Sequence, residues 1–334
     1  MPGLPSILHS HRPEGPDGPR LVAWRSAVLP LAAATCLLPG LPAWAALLAG
    51  MGLGLAGLNP WPDRIRKWSH LLLQATVVAL GAGLNLGAVL RSGRDGLAVT
   101  LLSISATLLV GRFLGRRLGV SRDATWLISG GTAICGGSAI AALSGTLRPR
   151  AHEVSIALIT VYLFNAVALL IFPSIGHAAG LNQTQFGWWA ALAIHDTSSV
   201  VGAGVAYGAT ALAVGTTIKL ARSLWIVPLT FGLARARARG ATADRRGTSI
   251  PWFVLGFLIM AAVFSYLPGL APAAPIVTRL AQRGLVLTLF LIGAGFSREA
   301  LRTVGLRPLK LGLILWITVA TASLAAIKLG WIAN

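Results

Sequence analysis

Acidic side chains are scarce in this chain. Nine Asp and Glu stand against 28 Lys and Arg, and charged residues of both signs make up only 11% of its 334 positions. An ordinary soluble domain carries about 25% charged residues, so this composition excludes a water-covered globular surface of the usual kind. Cysteine is nearly absent too. Cys36 and Cys135 both lie inside apolar runs with no metal-type spacing around either, so neither a disulfide framework nor a metal site is indicated. A Walker loop, a Rossmann fingerprint and a paired-carboxylate site are all missing. Soluble-enzyme chemistry is therefore not expected, and no cofactor is called for.

Apolar sequence is what the chain has in quantity, with 55% hydrophobic residues and a mean hydropathy of +0.74. It falls into segments at about Ser26 to Leu38, Leu41 to Leu58, Trp68 to Leu90, Gly96 to Phe113, Ala124 to Leu147 and Val154 to Ile175. Five more follow at Phe186 to Tyr207, Ala209 to Ala234, Trp252 to Leu267, Leu280 to Phe296 and Leu309 to Ile332. Most are long enough to cross a bilayer, by tilting where long and thinning it where short. The expected fold class is an all-α polytopic membrane protein of about 11 transmembrane helices. Residues 27–334 would form one transmembrane domain, and residues 1–26, with five prolines and no hydrophobic period, a disordered cytoplasmic tail. Ala43-Trp44-Ala45 imitates a signal-peptidase site, but the run before it pairs more naturally with the next segment as a hairpin.

The basic residues act as topology signals. With the N-terminus in the cytoplasm, 19 of them fall inside, in groups around Arg12, Arg64, Arg112, Arg235 and Arg298, and seven fall outside. That asymmetry obeys the positive-inside rule and places the C-terminus outside. The net charge of +19 therefore implies no nucleic-acid partner. Pro173 to Gln185, nominally cytoplasmic, holds no basic residue, which leaves open whether segments five and seven span fully. Leu80-Gly81-Ala82-Gly83-Leu84 matches Ile292-Gly293-Ala294-Gly295-Phe296 at an offset of 212 residues. In this topology the two copies run in opposite directions, as an inverted duplication would.

Three stretches break the apolar rule. In the first, Ser129 to Ala142, Gly130-Gly131 and Gly136-Gly137 flank Thr132 and Cys135, with Ser138 following. Glycine costs about 1 kcal/mol against alanine in a helix interior, so this run implies either close helix packing or an unwound centre presenting backbone groups to a substrate. The second is His195-Asp196-Thr197-Ser198-Ser199, with two ionisable groups near the middle of its segment. An intramembrane carboxylate is a functional candidate by default, and histidine titrates near neutral pH; an interfacial loop is the plainer alternative. In the third, Thr216 to Ser223, a spacing of three puts Lys219 and Arg222 on one helix face. Two buried cations need counter-charge from Asp196 or from a transported anion. Asn85, Gln74, Asn165 and Tyr162 read as interhelical hydrogen-bonding groups, Glu153 as solvated, and the tryptophans near segment ends, Trp188 and Trp189 among them, as interfacial anchors.

Gly131 to Ala142, the stretch from His195-Asp196 to Ala203-Gly204, and Lys219-Leu220-Ala221-Arg222 resemble the three signatures of the YeiH-type bacterial inner-membrane proteins assigned as sulfate exporters. The resemblance covers nearly all the chain from about residue 27, with Asp196 where that family often has Glu. It implies kinship with the bile-acid, arsenite and auxin carriers and with sodium/proton antiporters, hence inverted repeats and a crossed pair of broken helices. The function expected is a secondary transporter in the bacterial inner membrane, exporting a small anion such as sulfate or a related oxyanion or sulfonate. Thr132, Cys135, Gly136, Gly137, Ser138, Thr197, Ser198, Lys219 and Arg222 would bind the substrate, and His195 with Asp196 would couple transport to protons or sodium. A cation/proton antiporter with Asp196 as ion ligand is the alternative, and a non-transporting receptor or scaffold is a third, from another class. The bilayer is the expected partner, and homo-oligomerisation is left open.

Overall fold

A computed structural model describes residues 19–38, 40–238, 252–303 and 305–333, and among them every regular element is helical. The chain opens with α1 (Pro19–Thr35), α2 (Ala43–Leu55), α3 (Pro62–Leu80), a 3-10 turn at Gly81–Gly83 and α4 (Leu86–Arg117). Next come α5 (Arg122–Ala133), α6 (Gly137–Leu147), α7 (Ala151–Ala178), α8 (Gln183–Ala193) and α9 (Thr197–Tyr207). The series closes with α10 (Ala209–Ser223), α11 (Ile226–Ala238), α12 (Trp252–Tyr266), α13 (Ala274–Ala294), α14 (Arg298–Thr303) and α15 (Leu306–Lys328). Among the described residues, five helical stretches are long and apolar enough to cross a membrane: Gly96–Arg117, His152–Ala178, Ala209–Leu233, Pro268–Ala294 and Leu306–Lys328.

Several boundaries differ from the sequence expectation. The first helix starts at Pro19, inside the stretch expected as a tail, because Leu21, Val22, Ala23 and Trp24 extend the apolar run upstream. Arg12, Arg239, Arg245 and Arg246, counted among the inward charges, lie outside the described residues. The chain turns at Gly81–Gly83 and not at Arg91 to Asp95, so those charged residues ride on the opening turns of the 32-residue α4. The Ser265 hydroxyl secures that turn: it accepts from the Leu86 N–H at 2.9 Å and donates to the Leu84 carbonyl at 3.4 Å. Trp188 and Trp189 are core residues, 7% and 2% exposed. Trp189 stacks on Phe172 at 4.2 Å and donates from its indole to the Ala320 carbonyl at 2.9 Å, tying α8 to α7 and α15. Glu153 is buried as well, accepting from the Ser121 hydroxyl and from the Arg150 N–H, so it joins the start of α7 to the cap of α5.

The 212-residue offset extends beyond the glycine motif. It carries Pro62 onto Ala274 and Leu86 onto Arg298, the first residues of α3 and α13 and of α4 and α14. In both copies the glycine motif ends one helix and turns the chain toward the next. The long helices α3 and α13 pack on each other, α2 packs on α13, and α12 packs on α3. Lipid tails are as apolar as leucine, so such packing is driven by close van der Waals fit that small residues permit. Glycine supplies that fit between α2 and α13. A β-carbon on Gly50 would run into the Phe290 carbonyl, and one on Gly293 into the Leu47 carbonyl. Elsewhere α4, α7, α10 and α15 pack around the two interrupted pairs α5–α6 and α8–α9.

Candidate functional site

Each of the first two polar stretches breaks a helix, and the breaks touch. Helix α5 stops at Ala133, α6 starts at Gly137, and Gly136 between them has φ 62° and ψ −123°. That left-handed backbone is open to glycine and strained for a residue with a β-carbon. The other pair, Gly130-Gly131, stays helical and serves packing: Leu143 lies over Gly130, and Ile140 and Val161 over Gly131. Close packing and unwinding are thus both present, one for each glycine pair. In the second segment α8 stops at Ala193 and α9 starts at Thr197, leaving Ile194, His195 and Asp196 extended. A β-carbon placed on Gly136 would stand 3.4 Å from the β-carbon of Asp196. His195 is 1% exposed, so this break is buried and is no interfacial loop.

The backbone groups freed at the breaks have identifiable partners. Asp196 caps α9, its carboxylate accepting from the N–H and the hydroxyl of Ser198, the usual role of aspartate at a helix start. Asn165, on α7, reaches the break from the side: its Oδ1 accepts from the His195 N–H at 2.9 Å and from the Asp196 N–H at 3.2 Å. At the opposite ends of the breaks, carbonyls are left over, and the two cations of α10 take them. Lys219 Nζ donates to the Ile194 carbonyl at 2.6 Å and the Ala191 carbonyl at 3.4 Å. Arg222 donates from Nε to the Ala133 carbonyl at 2.6 Å and through one terminal nitrogen to those of Leu192 at 2.7 Å and Ala191 at 3.3 Å. Its other terminal nitrogen reaches the Ser103 hydroxyl on α4 at 3.4 Å. One guanidinium thus holds the C-terminal ends of both α5 and α8, where the helix dipole favours positive charge.

The candidate residues fall around one crossing. Gly136, Gly137 and Ser138 open α6, while Thr197 and Ser198 open α9. Cys135 lies in the first break, buried as a free thiol. Thr132 sits at the end of α5, fully buried. Lys219 and Arg222, both 0% exposed, bind the broken backbone and so neutralise helix ends. Five side-chain atoms here are buried without a hydrogen-bond partner among the described residues: Thr132 Oγ1, Thr216 Oγ1, Asn165 Nδ2 and both ring nitrogens of His195. A buried polar atom left unpaired costs about 1–3 kcal/mol, which makes the crossing the candidate site. No cluster of three or more metal-type side chains occurs among the described residues.

One face of α7 was undervalued in the sequence. Val161 packs over Gly131 and Gly136, the Tyr162 hydroxyl sits against Gly137, and Asn165 holds the second break. Tyr162 and Asn165 are three residues apart, hence on one helix side. Their position in the apolar run was visible; their contact with both breaks was not.

These features define a multi-pass helical membrane protein with two interrupted helices meeting at a buried polar centre. The chain belongs to the UPF0324 membrane-protein family: residues 27–312 match the family model described as conserved hypothetical protein 698. It is 51% identical to a UPF0324 membrane protein of Bdellovibrio bacteriovorus over 305 residues, covering 91% of this chain and 94% of the relative. Identity to the Geobacter sulfurreducens relative is 47% over 89% of this chain and 94% of that one, and to the Porphyromonas gingivalis relative 50% over 85% and 86%. No solved structure matches the chain.

Proposed function

We propose that this protein is a secondary transporter of the bacterial inner membrane that exports a small anion, sulfate or a related oxyanion or sulfonate, coupled to protons or sodium. The observation that carries this reading is the contact of the two breaks, Gly136 against Asp196. It brings the N-terminal ends of α6 and α9 to one place, and helix N-termini attract anions through free N–H groups and the macrodipole. Gly136 gives α6 no side-chain cap of its own, and in this reading the anion would be met by N–H groups of that first turn. Asp196 stands beside them as a resident negative charge. A substrate anion would compete with the ionised carboxylate, and protonation of Asp196 would relieve that competition. Broken helices of this type move as part of one bundle against another in alternating access. In this reading, counting α5–α6, α8–α9 and α10–α11 each as one crossing and leaving out the six-residue α14 gives eleven spans. The offset of 212 residues is then the trace of an inverted duplication, and the N-terminus is cytoplasmic.

Cation/proton exchange is the second reading. It is favoured by the bonding of Lys219 and Arg222, whose charge is directed at backbone carbonyls and leaves Asp196 as the carboxylate at the crossing. Flux measurements in proteoliposomes separate the two. Labelled sulfate or sulfite flux driven by a pH or sodium gradient, with that drive lost in Asp196→Asn, supports the anion reading. Sodium-driven pH changes indifferent to every anion offered support the second and overturn the first.

A further inference from the structure

Asn165 lies at mid-helix in α7 and is 3% exposed. The orientation of its amide is fixed by bonding: the oxygen accepts from two successive backbone N–H groups, at 2.9 and 3.2 Å, which an NH2 group in its place could not do. The NH2 group is therefore on the other side of the same carbon, beside the His195-Asp196 backbone. It has no hydrogen-bond partner among the described residues. An amide nitrogen has two N–H donors and no useful acceptor capacity. A buried donor beside two helix N-termini suits an oxygen atom bearing negative charge, and it opposes a bare cation at the same point.

We propose that Asn165 both positions the second break and contacts the transported species: Oδ1 holds His195 and Asp196 extended, while Nδ2 donates to an oxygen of the substrate oxyanion. This rests on the anion reading above and deepens it. Because Oδ1 is already committed to the backbone, the part of this side chain that favours an acceptor-bearing substrate is Nδ2. An oxyanion with at least one unprotonated oxygen is the ligand class it recognises. Tyr162, three residues before Asn165 on α7, has its hydroxyl against Gly137 at the start of α6.

Two substitutions separate the two roles. Asn165→Asp keeps an acceptor for the two backbone N–H groups and removes the NH2 donor, whereas Asn165→Leu removes both. The full-length protein in detergent is titrated with sulfate, sulfite and methanesulfonate, reading the ligand-induced rise in thermal stability, at mildly alkaline and mildly acidic pH. In parallel, hydrogen exchange is followed in the peptide that contains Ile194 to Ser198. The expected result is that Asn165→Asp binds the responding oxyanion at least tenfold more weakly at alkaline pH. Affinity partly recovers at acidic pH, where a protonated carboxyl regains a donor. Exchange in the peptide stays slow in the wild type and in Asn165→Asp and becomes fast in Asn165→Leu. An Asn165→Asp protein that binds at alkaline pH as the wild type does overturns the donor role. Slow exchange in Asn165→Leu overturns the positioning role. A wild type stabilised by sodium and by none of the oxyanions overturns the anion reading and the donor role with it, while the exchange data still decide the positioning role.

Discussion

Replacing Arg222 by methionine, which preserves much of its length without its charge, removes a side chain that is hydrogen-bonded to the ends of both α5 and α8. Two of its bonds are short, 2.6 Å to the Ala133 carbonyl and 2.7 Å to the Leu192 carbonyl. Hydrogen bonds to charged groups contribute about 1.5–3 kcal/mol each, whereas interhelical hydrogen bonds measured inside membranes average about 0.6 and reach about 1.7 kcal/mol. The membrane scale sets the sober bound, and both bonds belong at its upper end because the carbonyls lie at broken helix ends with water excluded. Arg222→Met is therefore expected to lose about 3 kcal/mol of stability. Arg222→Lys retains the charge but is shorter and lacks the guanidinium's spread of donors, so it should hold one helix end and lose about half as much. Equilibrium unfolding in mixed detergent micelles measures both. A loss below about 1 kcal/mol in Arg222→Met would refute the assignment of Arg222 as the staple of the two breaks.

Three further outcomes are expected. Gly136→Ala places a β-carbon at φ 62° against Asp196 and Val161, so it should cost about 1–3 kcal/mol and abolish flux; the same change at the open Gly145 should do neither. Gly293→Leu drives a side chain into the backbone of α2 and should cost at least about 1–3 kcal/mol, visible as lower yield of folded protein from membranes. Tyr207→Phe removes a 2.6 Å hydrogen bond to the Leu181 carbonyl at the far end of α9. It should lower stability by about 1 kcal/mol while leaving transport intact, which flux at saturating substrate would check.

The helix breaks were legible because glycine, serine, threonine and aspartate have short-range preferences that survive in any context. Four glycines around Thr132 and Cys135, and an Asp followed by Thr-Ser-Ser, say where a helix stops and starts again. The partners of Lys219 and Arg222 were not legible. Counter-charge was the natural expectation, yet both bind carbonyls of Ala133, Ala191, Leu192 and Ile194, whose side chains carry no mark of it. Asn165 does bond between helical segments as expected, but its partners were illegible for a similar reason: they are the backbone amides of residues 30 and 31 positions away. Trp188 and Trp189 imitated an interfacial belt because they stand near a segment start, but α8 is short and enveloped, so its first turns are already core. Tertiary contact, not local pattern, decides each of these cases.

The central claim is that the crossing of the two breaks is where a small anion is bound and moved. Exchange of labelled sulfate or sulfite across proteoliposomes, comparing the wild type with Asp196→Asn and Gly136→Ala, tests it most directly. Saturable exchange is predicted in the wild type, inhibited by competing oxyanions, with exchange lost in Gly136→Ala and its drive by a pH or sodium gradient lost in Asp196→Asn, although both variants insert and fold. Exchange undiminished in Gly136→Ala and still gradient-driven in Asp196→Asn would contradict it.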